Sequence, residues 1–267
     1  MRTALYKFIV ALLVAGQFFC ACHKQAKVVT AEEIPINVLE RIAAAGFSTA
    51  GVLKRDNGYV VEGDILLSAE QLEQGVPTGK EIVYAKEEHY RTTNLVTGTP
   101  RTISISLSAA SPAYFNNPLN IAINRFNELN LVLTFARVTS NANIQVSTFY
   151  DPNDIAVYGG GPTSNGNPYP TIRFNTYWYP ITVNTNYLAS IIAHEIGHCI
   201  GFRHTDYMNR SFSCGGSAVN EGTAGVGAIW VPGTPTGGSA NSWMLACSSG
   251  SDRPFTTADQ TALTTVY

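Results

Sequence analysis

The alternation of apolar and polar residues predicts a mixed sheet with a helix in the second part of the chain. Arg101–Leu107 alternates strictly, as a half-buried strand does. A broad apolar helical face follows at 118–130, and two β-rich segments lie at 131–138 and 144–149. After a loop rich in Gly, Pro and Asn, Thr171–Asn175 has the composition of another strand. The predicted order is therefore strand, helix and then three strands.

A smaller set of elements precedes this region. Apolar residues recur at helical spacing over 34–45, while 58–61 and 64–67 are typical of a strand or hairpin. Ser68 opens a capping box for a second short helix. The polar, turn-rich stretch that follows marks a boundary. We predict a small α/β N-terminal unit and linker over 31–99, which is also a candidate pro-segment.

The chain ends in a long irregular stretch and a short helix. Few positions between 205 and 254 are periodic, whereas 257–267 returns to helical spacing with Thr257 and Gln260 as its predicted capping box. The predicted fold class is α+β, with the main domain over 100–267.

Composition narrows the class of protein. The 267 residues carry a formal net charge of -2, and only 13% are charged, so no basic surface exists to bind a phosphate backbone. The 45% hydrophobic content is too high for a disordered chain, and polar residues interrupt it too often for a multi-span membrane protein. We expect a soluble globular monomer with no nucleic-acid partner.

The N-terminus has the pattern of an export signal. A basic start and a short apolar run precede Ala21 and Cys22, which predicts a signal peptide over 1–21. The residues before Cys22 resemble the lipobox of bacterial lipoproteins, which implies lipidation of Cys22, a polar tether over 22–30 and a bacterial membrane as partner. An ordinary secretory signal cut near Ala21 is the alternative. Either places the body outside the cytoplasm, in the periplasm, at the cell surface or secreted.

Three cysteines remain in the predicted body, and an oxidising compartment favours one disulfide among them. All three pairings are open. We favour Cys214 with Cys247, because both lie in Gly/Ser-rich irregular stretches. Cys199 lies in an apolar helical run and is typical of a small buried hydrophobic residue.

One predicted helix ends in a cluster of histidines. Its periodic pattern covers 187–200, it begins near Asn184 or Asn186, and Gly201 ends it. Three of the five histidines in the chain fall within one eleven-residue window at this end. That clustering is the main indication of function.

The spacing within the window predicts a zinc site. His194 and His198 are four residues apart, so a helix places both on one face. Gly201 can leave the helix in a left-handed conformation and turn His204 back toward them. Three protein ligands leave one position open, which is the catalytic pattern of zinc. Glu195 is rotated off the ligand axis and can act as a base.

This His-Glu-x-x-His-x-x-Gly-x-x-His string resembles the metzincin signature, and its wording His-Glu-Ile-Gly-His resembles the dual-action HEIGH metallopeptidases of bacteria. The resemblance covers about residues 100–267. It implies a twisted mixed sheet, an active-site helix and an irregular C-terminal subdomain with a methionine turn, for which Met244 is the candidate. Several metzincins carry a tyrosine shortly after that methionine, but Ala246 and Cys247 stand here.

The functional hypothesis is a zinc-dependent endopeptidase that hydrolyses proteins or peptides. Zn²⁺ would bind His194, His198 and His204, and Glu195 would activate the metal-bound water. An extended substrate would pair with an edge strand, for which we expect Thr171–Asn175.

Other functions remain open at this stage. One alternative is a catalytically silent zinc-binding surface lipoprotein for adhesion or ligand capture, against which an intact Glu195 argues. A purely structural zinc site would need a fourth protein ligand. A calcium site at Asp151, Asn153 and Asp154 is weakly supported, since that sequence is typical of a turn. If 31–99 keeps an enzyme latent, a carboxylate such as Asp64 or steric cover would do so.

Overall fold

The computed structural model describes residues 33–56, 58–73, 89–221, 228–235 and 239–267. The predicted signal peptide, Cys22 and the predicted tether lie outside these residues. Helices are α1 Ile36–Ala44, α2 Ala69–Glu73, α3 Asn116–Asn127, α4 Thr185–Ile200, α5 Ser211–Cys214 and α6 Thr257–Val266, with a 3₁₀ turn at Ala113–Phe115. Strands are β1 Leu53–Arg55, β2 Gly58–Val61, β3 Ile65–Ser68, β4 Tyr90–Arg91, β5 Arg101–Leu107, β6 Leu133–Arg137, β7 Ile144–Phe149, β8 Val157–Tyr158, β9 Thr171–Asn175, β10 Phe202–Arg203 and β11 Ile229–Trp230.

The central sheet has the strand order β6-β5-β7-β9-β8. All neighbouring pairs are parallel except β8 with β9, which is antiparallel. Buried residues of β5, β6, β7 and β9 share one apolar core with α3 and α4. The mixed sheet with its helices confirms the predicted α+β class.

The strand at one edge of this sheet is not the one that we expected. Thr171–Asn175 is paired on both sides, so it is not an edge strand as we expected. The two edges are β6 and β8, and β8 lies inside the Gly-rich segment predicted to be loop. A strand of two residues is too short to produce an alternating pattern, and for this reason periodicity missed it.

The predicted N-terminal hairpin is present as part of a three-stranded sheet, β1-β2-β3. Its tip is a tight turn in which Glu62 and Gly63 have positive φ values of 55° and 95°. The predicted capping box also forms, because the Ser68 amide donates to Gln71 Oε1 at 2.9 Å and the Gln71 amide donates to Ser68 Oγ at 3.1 Å. The turn places Asp64 at the tip of the hairpin.

The predicted linker contributes to the main body. Within it, β4 pairs with both β10 and β11 in a second small sheet. The Thr92 amide then donates to the Gly201 carbonyl at 2.7 Å. Residues 34–267 accordingly form one compact unit.

Two helix boundaries needed the structure to settle them. Asn184, rather than Asn186, caps α4, and its Oδ1 accepts the amides of residues 186 and 187 at 3.0 Å each. The capping box of α6 is formed by Thr256 and Asp259, so the predicted pair Thr257 and Gln260 is displaced by one residue. No helix in the described ranges is long and apolar enough to cross a bilayer.

Candidate metal centre and active site

Three histidine rings meet at the C-terminal end of α4. His194 and His198 project from the same face of the helix, with ring centroids 4.6 Å apart. Gly201 leaves the helix at φ 112°, and the chain returns His204 to within 5.4 Å and 4.9 Å of the other two rings. The structure therefore brings the three predicted ligands together, and all three are buried.

The partners of these rings leave their Nε2 lone pairs facing one another. His194 Nδ1 lies 2.8 Å from the Trp243 carbonyl, and His198 Nδ1 lies 2.8 Å from the Phe202 carbonyl. Because a carbonyl only accepts, each Nδ1 carries a proton, and in this tautomer Nε2 is the nitrogen whose lone pair can bind a metal. Those two Nε2 atoms are only 3.0 Å apart. Facing acceptors at this distance need a cation between them, so the donor set fits Zn²⁺.

A fourth possible ligand comes from the N-terminal hairpin. Asp64 Oδ2 lies 3.2 Å from His204 Nε2 and 3.5 Å from His194 Nε2, and Asp64 Oδ1 lies 3.8 Å from His198 Nε2. Asp64 and the three histidines form one buried group whose ligand atoms all lie within 4.8 Å of one another. Spacing along the chain does not predict that Asp64 lies close to the three histidines, because it is distant from all of them in sequence.

Glu195 lies beside the histidines in a fully buried position. Neither of its carboxylate oxygens has a hydrogen-bond partner among the described residues. Burial, followed by the charge of Asp64, holds the pKa of Glu195 well above its usual range. A side chain at residue 159 would approach Glu195 Oε2 within 3.0 Å, so the glycine there allows the backbone to lie against the carboxylate. An unpartnered buried carboxylate at this point is suited to proton transfer.

Met244, the candidate for the methionine turn, packs against α4 at Gly197. It is fully buried, and a Cβ added to Gly197 would come within 2.7 Å of its sulfur. The Met244 carbonyl accepts the Thr205 amide at 2.9 Å, which ties this segment to the chain just after His204. Asp206 ties it further by accepting the Ala246 amide at 2.9 Å. These contacts hold the segment around Met244 in place beside the histidine cluster.

A carboxylate that the sequence analysis missed supports the third histidine. Glu221 Oε2 lies 2.8 Å from His204 Nδ1, and Arg210 Nη1 donates to Glu221 Oε1 at 3.0 Å. Such a carboxylate partner orients a ligand imidazole and raises its basicity. Glu221 lies in an irregular stretch with no periodic pattern, so the sequence offered no signal for it.

An open cleft leads to Glu195. Its walls include Tyr179, Ile191, Trp243 and Arg253. The disulfide Cys214–Cys247, one of the three pairings that the sequence left open, lies beside it and fastens the irregular C-terminal part. Cys199 is a free, buried thiol.

The segment considered for calcium has other partners. Both carboxylate oxygens of Asp154 accept hydrogen bonds from Arg55, at 2.8 Å and 2.9 Å from its Nε. Asp151 Oδ1 accepts the Asn153 amide at 2.8 Å, as in a turn. Calcium therefore has no part in the function proposed below.

Comparison with known proteins identifies the family. The family model described as dual-action HEIGH metallo-peptidase matches residues 59–267. The chain belongs to the dual-action HEIGH metallopeptidases. The family is described as one of metallo-peptidases. The matched range begins well before residue 100, where the resemblance was expected to start, and it includes Asp64.

Solved structures give only distant matches to this HEIGH metallopeptidase. Two structures of myroilysin are 20% and 18% identical over 43% and 48% of this chain, and over 54% and 55% of theirs, with TM-scores of 0.33 and 0.32. High choriolytic enzyme 1, a hatching enzyme zinc-protease from the medaka fish Oryzias latipes, is 16% identical over 47% of this chain and 54% of its own, with a TM-score of 0.26. The match spans about half the length of each. No curated protein matches the sequence.

Proposed function

We propose that this protein is a zinc endopeptidase in which Glu195 is the general base. Zn²⁺ held by the three histidines would lower the pKa of a bound water to about 7 and polarise the scissile carbonyl. Glu195 would take a proton from the attacking water and return it to the leaving amine. The observation that carries the proposal is that the facing Nε2 atoms of His194 and His198 lie close to His204 and beside Glu195, a buried carboxylate with no hydrogen-bond partner among the described residues.

The substrate class follows from the edge of the central sheet. β8 is one of the two edge strands, and Gly159 follows it directly and lies beside Glu195. Exposed main-chain groups at a sheet edge bind an extended peptide through its backbone, with little selection among side chains. We therefore infer that unfolded or extended segments of proteins are the substrates.

The alternative of a silent zinc-binding protein gains no support from the site. Burying Glu195 without a hydrogen-bond partner costs stability, of the order of a few kcal/mol for such a group. Adhesion or ligand capture has no use for that arrangement. Proton transfer does, because it needs a carboxylate close to the metal ligands whose oxygens are not committed to other hydrogen bonds.

Location is a separate part of the proposal. The export signal and the lipobox-like sequence ending at Cys22 support a body anchored by lipid on the outer side of a bacterial membrane. Metabolic labelling of the expressed protein with a radioactive fatty acid tests this. Label that is lost in Cys22→Ser is the expected result, and equal labelling of both proteins would contradict it.

The peptidase function is tested by zinc content and casein cleavage. Glu195→Gln should keep one zinc per chain and lose about 10²–10⁴-fold in turnover, because its amide cannot accept the proton. The matched control is Glu128→Gln, an exposed glutamate remote from the histidines, which should behave as the parent. Removing zinc with a chelator should abolish cleavage, and zinc addition should restore it. A Glu195→Gln variant as fast as the parent would contradict the mechanism.

A further inference from the structure

The cleft that contains His194 and Glu195 also contains an arginine. Apolar side chains, among them Ile191 and Trp243, form part of its wall, and Arg253 lines the same cavity. The cavity measures about 200 Å³, several times the roughly 30 Å³ that one water molecule takes up in the liquid. A substrate side chain that enters this cavity would therefore meet both apolar surface and a guanidinium.

The charge of Arg253 is not neutralised by the part of the chain that the structure describes. Its Nη1 donates to the Cys247 carbonyl at 3.0 Å, and no described carboxylate lies within ion-pair distance of it. Burial lowers the pKa of Arg253, and the charge of Asp206 partly opposes this effect. Asp206 itself is occupied, because Oδ1 accepts the Ala246 amide at 2.9 Å and Oδ2 accepts the Ser213 hydroxyl at 2.6 Å. The cation is thus partly withdrawn from water without a carboxylate bonded to it.

Two other arginines show what Arg253 lacks. Arg125 Nη2 lies 2.7 Å from Asp252 Oδ1, although Asp252 directly precedes Arg253 in the chain. Arg210, which also lines the cleft, has its Nη1 3.0 Å from Glu221 Oε1. Of the two arginines in the cleft wall, Arg253 is therefore the one whose guanidinium donors remain available to a carboxylate of a ligand.

We propose that Arg253 selects substrates with an aspartate or glutamate side chain close to the scissile bond. This inference rests on the proposed endopeptidase function and names its substrate class. A guanidinium holds a carboxylate through charge-assisted, often paired hydrogen bonds, which are stronger than its bonds to a neutral amide. The apolar wall strengthens them by lowering the local dielectric constant. Arg253 would supply the side-chain selection that backbone pairing at a sheet edge does not give.

The test compares the binding of matched peptides to the full, zinc-loaded chain. Every protein carries Glu195→Gln, so that no peptide is cleaved during the measurement. The probes are short amidated alanine–serine peptides with a neutral fluorescent label, in which one central residue is Glu, Gln or Lys. A Gln peptide with a free C-terminal carboxylate distinguishes a side-chain carboxylate from a chain end. Fluorescence anisotropy gives the Kd of each.

The variants separate the charge of Arg253 from its packing. Arg253→Met removes the cation, and Arg253→Lys keeps a cation should the first variant fail to fold. The matched control is Arg41→Met, which changes an exposed arginine of α1 that does not line the cleft. The readout is the ratio of the Kd values for the Gln and Glu peptides, because a merely structural change weakens the binding of both peptides alike.

The Glu peptide should bind about tenfold more tightly than the Gln peptide. Arg253→Met should lose this preference, whereas Arg253→Lys should keep most of it and Arg41→Met all of it. Equal Kd values for the two peptides before substitution of Arg253, or a preference that survives Arg253→Met, would overturn the proposal. So would tighter binding of the free C-terminal carboxylate alone.

Casein cleavage by the chain with Glu195 intact tests the same selection in turnover. Asp and Glu should be enriched around the cleaved bonds, as mass spectrometry of the products would show, and the enrichment should disappear in Arg253→Met. Cleavage without that enrichment would contradict the proposal and leave the endopeptidase function standing. A binding preference for the Glu peptide without any cleavage of casein would support the role of Arg253 and contradict the endopeptidase function.

Discussion

Two regions meet at the metal centre, and they are built by different means. The end of α4, with Gly201 and His204, places three candidate ligands by local geometry, since helical spacing aligns two of them and one turn returns the third. The β2–β3 hairpin reaches the same point only through long-range contacts with Arg203 and Gly159. A group of candidate ligands can thus be assembled locally while a further carboxylate reaches it only through tertiary structure. The first part should resist loss of the second, and the predictions below test that separation.

The largest effect is expected from breaking the buried ion pair. Arg203→Met leaves Glu62 buried without its partner, which should cost about 3–5 kcal/mol of unfolding free energy. Urea unfolding measures this. The control Arg55→Met removes the partly exposed pair with Asp154 and should cost under about 1 kcal/mol. Equal losses in the two variants would show that the buried pair does not fasten the hairpin.

The turn after α4 should be the next most sensitive point. In Gly201→Ala the new Cβ would meet Leu95 Cδ2 at 2.8 Å at a φ of 112°, so the turn must shift and carry His204 with it. We expect a loss of about 1–3 kcal/mol in stability together with weaker zinc binding. The control Gly51→Ala has a positive φ with nothing within 4 Å, and it should leave zinc affinity unchanged. Competition with a chromogenic chelator measures that affinity, and an unchanged value for Gly201→Ala would contradict this account of the turn.

A smaller effect is expected from the carboxylate behind the third ligand. Glu221→Gln keeps the shape of the side chain but removes its charge from His204 Nδ1. Zinc affinity should fall by about 10–100-fold, as for other partners of ligand histidines. Titration against the same chelator tests this, with Glu128→Gln as the remote control. Affinity equal to that of the parent would mean that Glu221 has no role in holding the ring.

The smallest effect belongs to the far end of the ligand helix. Asn184→Ala removes the cap that accepts two amides at the start of α4. Stability should fall by about 1 kcal/mol. Zinc affinity should stay unchanged, because the histidines lie at the opposite end of the helix. A parallel loss of zinc affinity would show that the site depends on the whole helix rather than on its last turns.

Much of the fold was predictable because its signals are local. The strict alternation of Arg101–Leu107 and the helical spacing before Gly201 both correspond to observed elements. The predictions that failed involve elements too short for a period to develop. The two-residue strand β8 displaced Thr171–Asn175 from the sheet edge, and β4 lies within the predicted linker. Short strands form where tertiary structure brings a partner to them, and their own sequence carries little information on this.

The sequence by itself determined the metal-binding string, because a helix of fixed period turns spacing into proximity. His194, His198 and Glu195 could be placed from their order alone. Only the tertiary structure decided that Asp64 joins the histidine cluster and that Glu221 contacts His204. Both depend on segments distant in sequence or irregular in pattern, for which spacing along the chain implies no distance in space. Local periodicity thus determined which residues can bind a metal and accept a proton. Long-range packing determined which residues surround them.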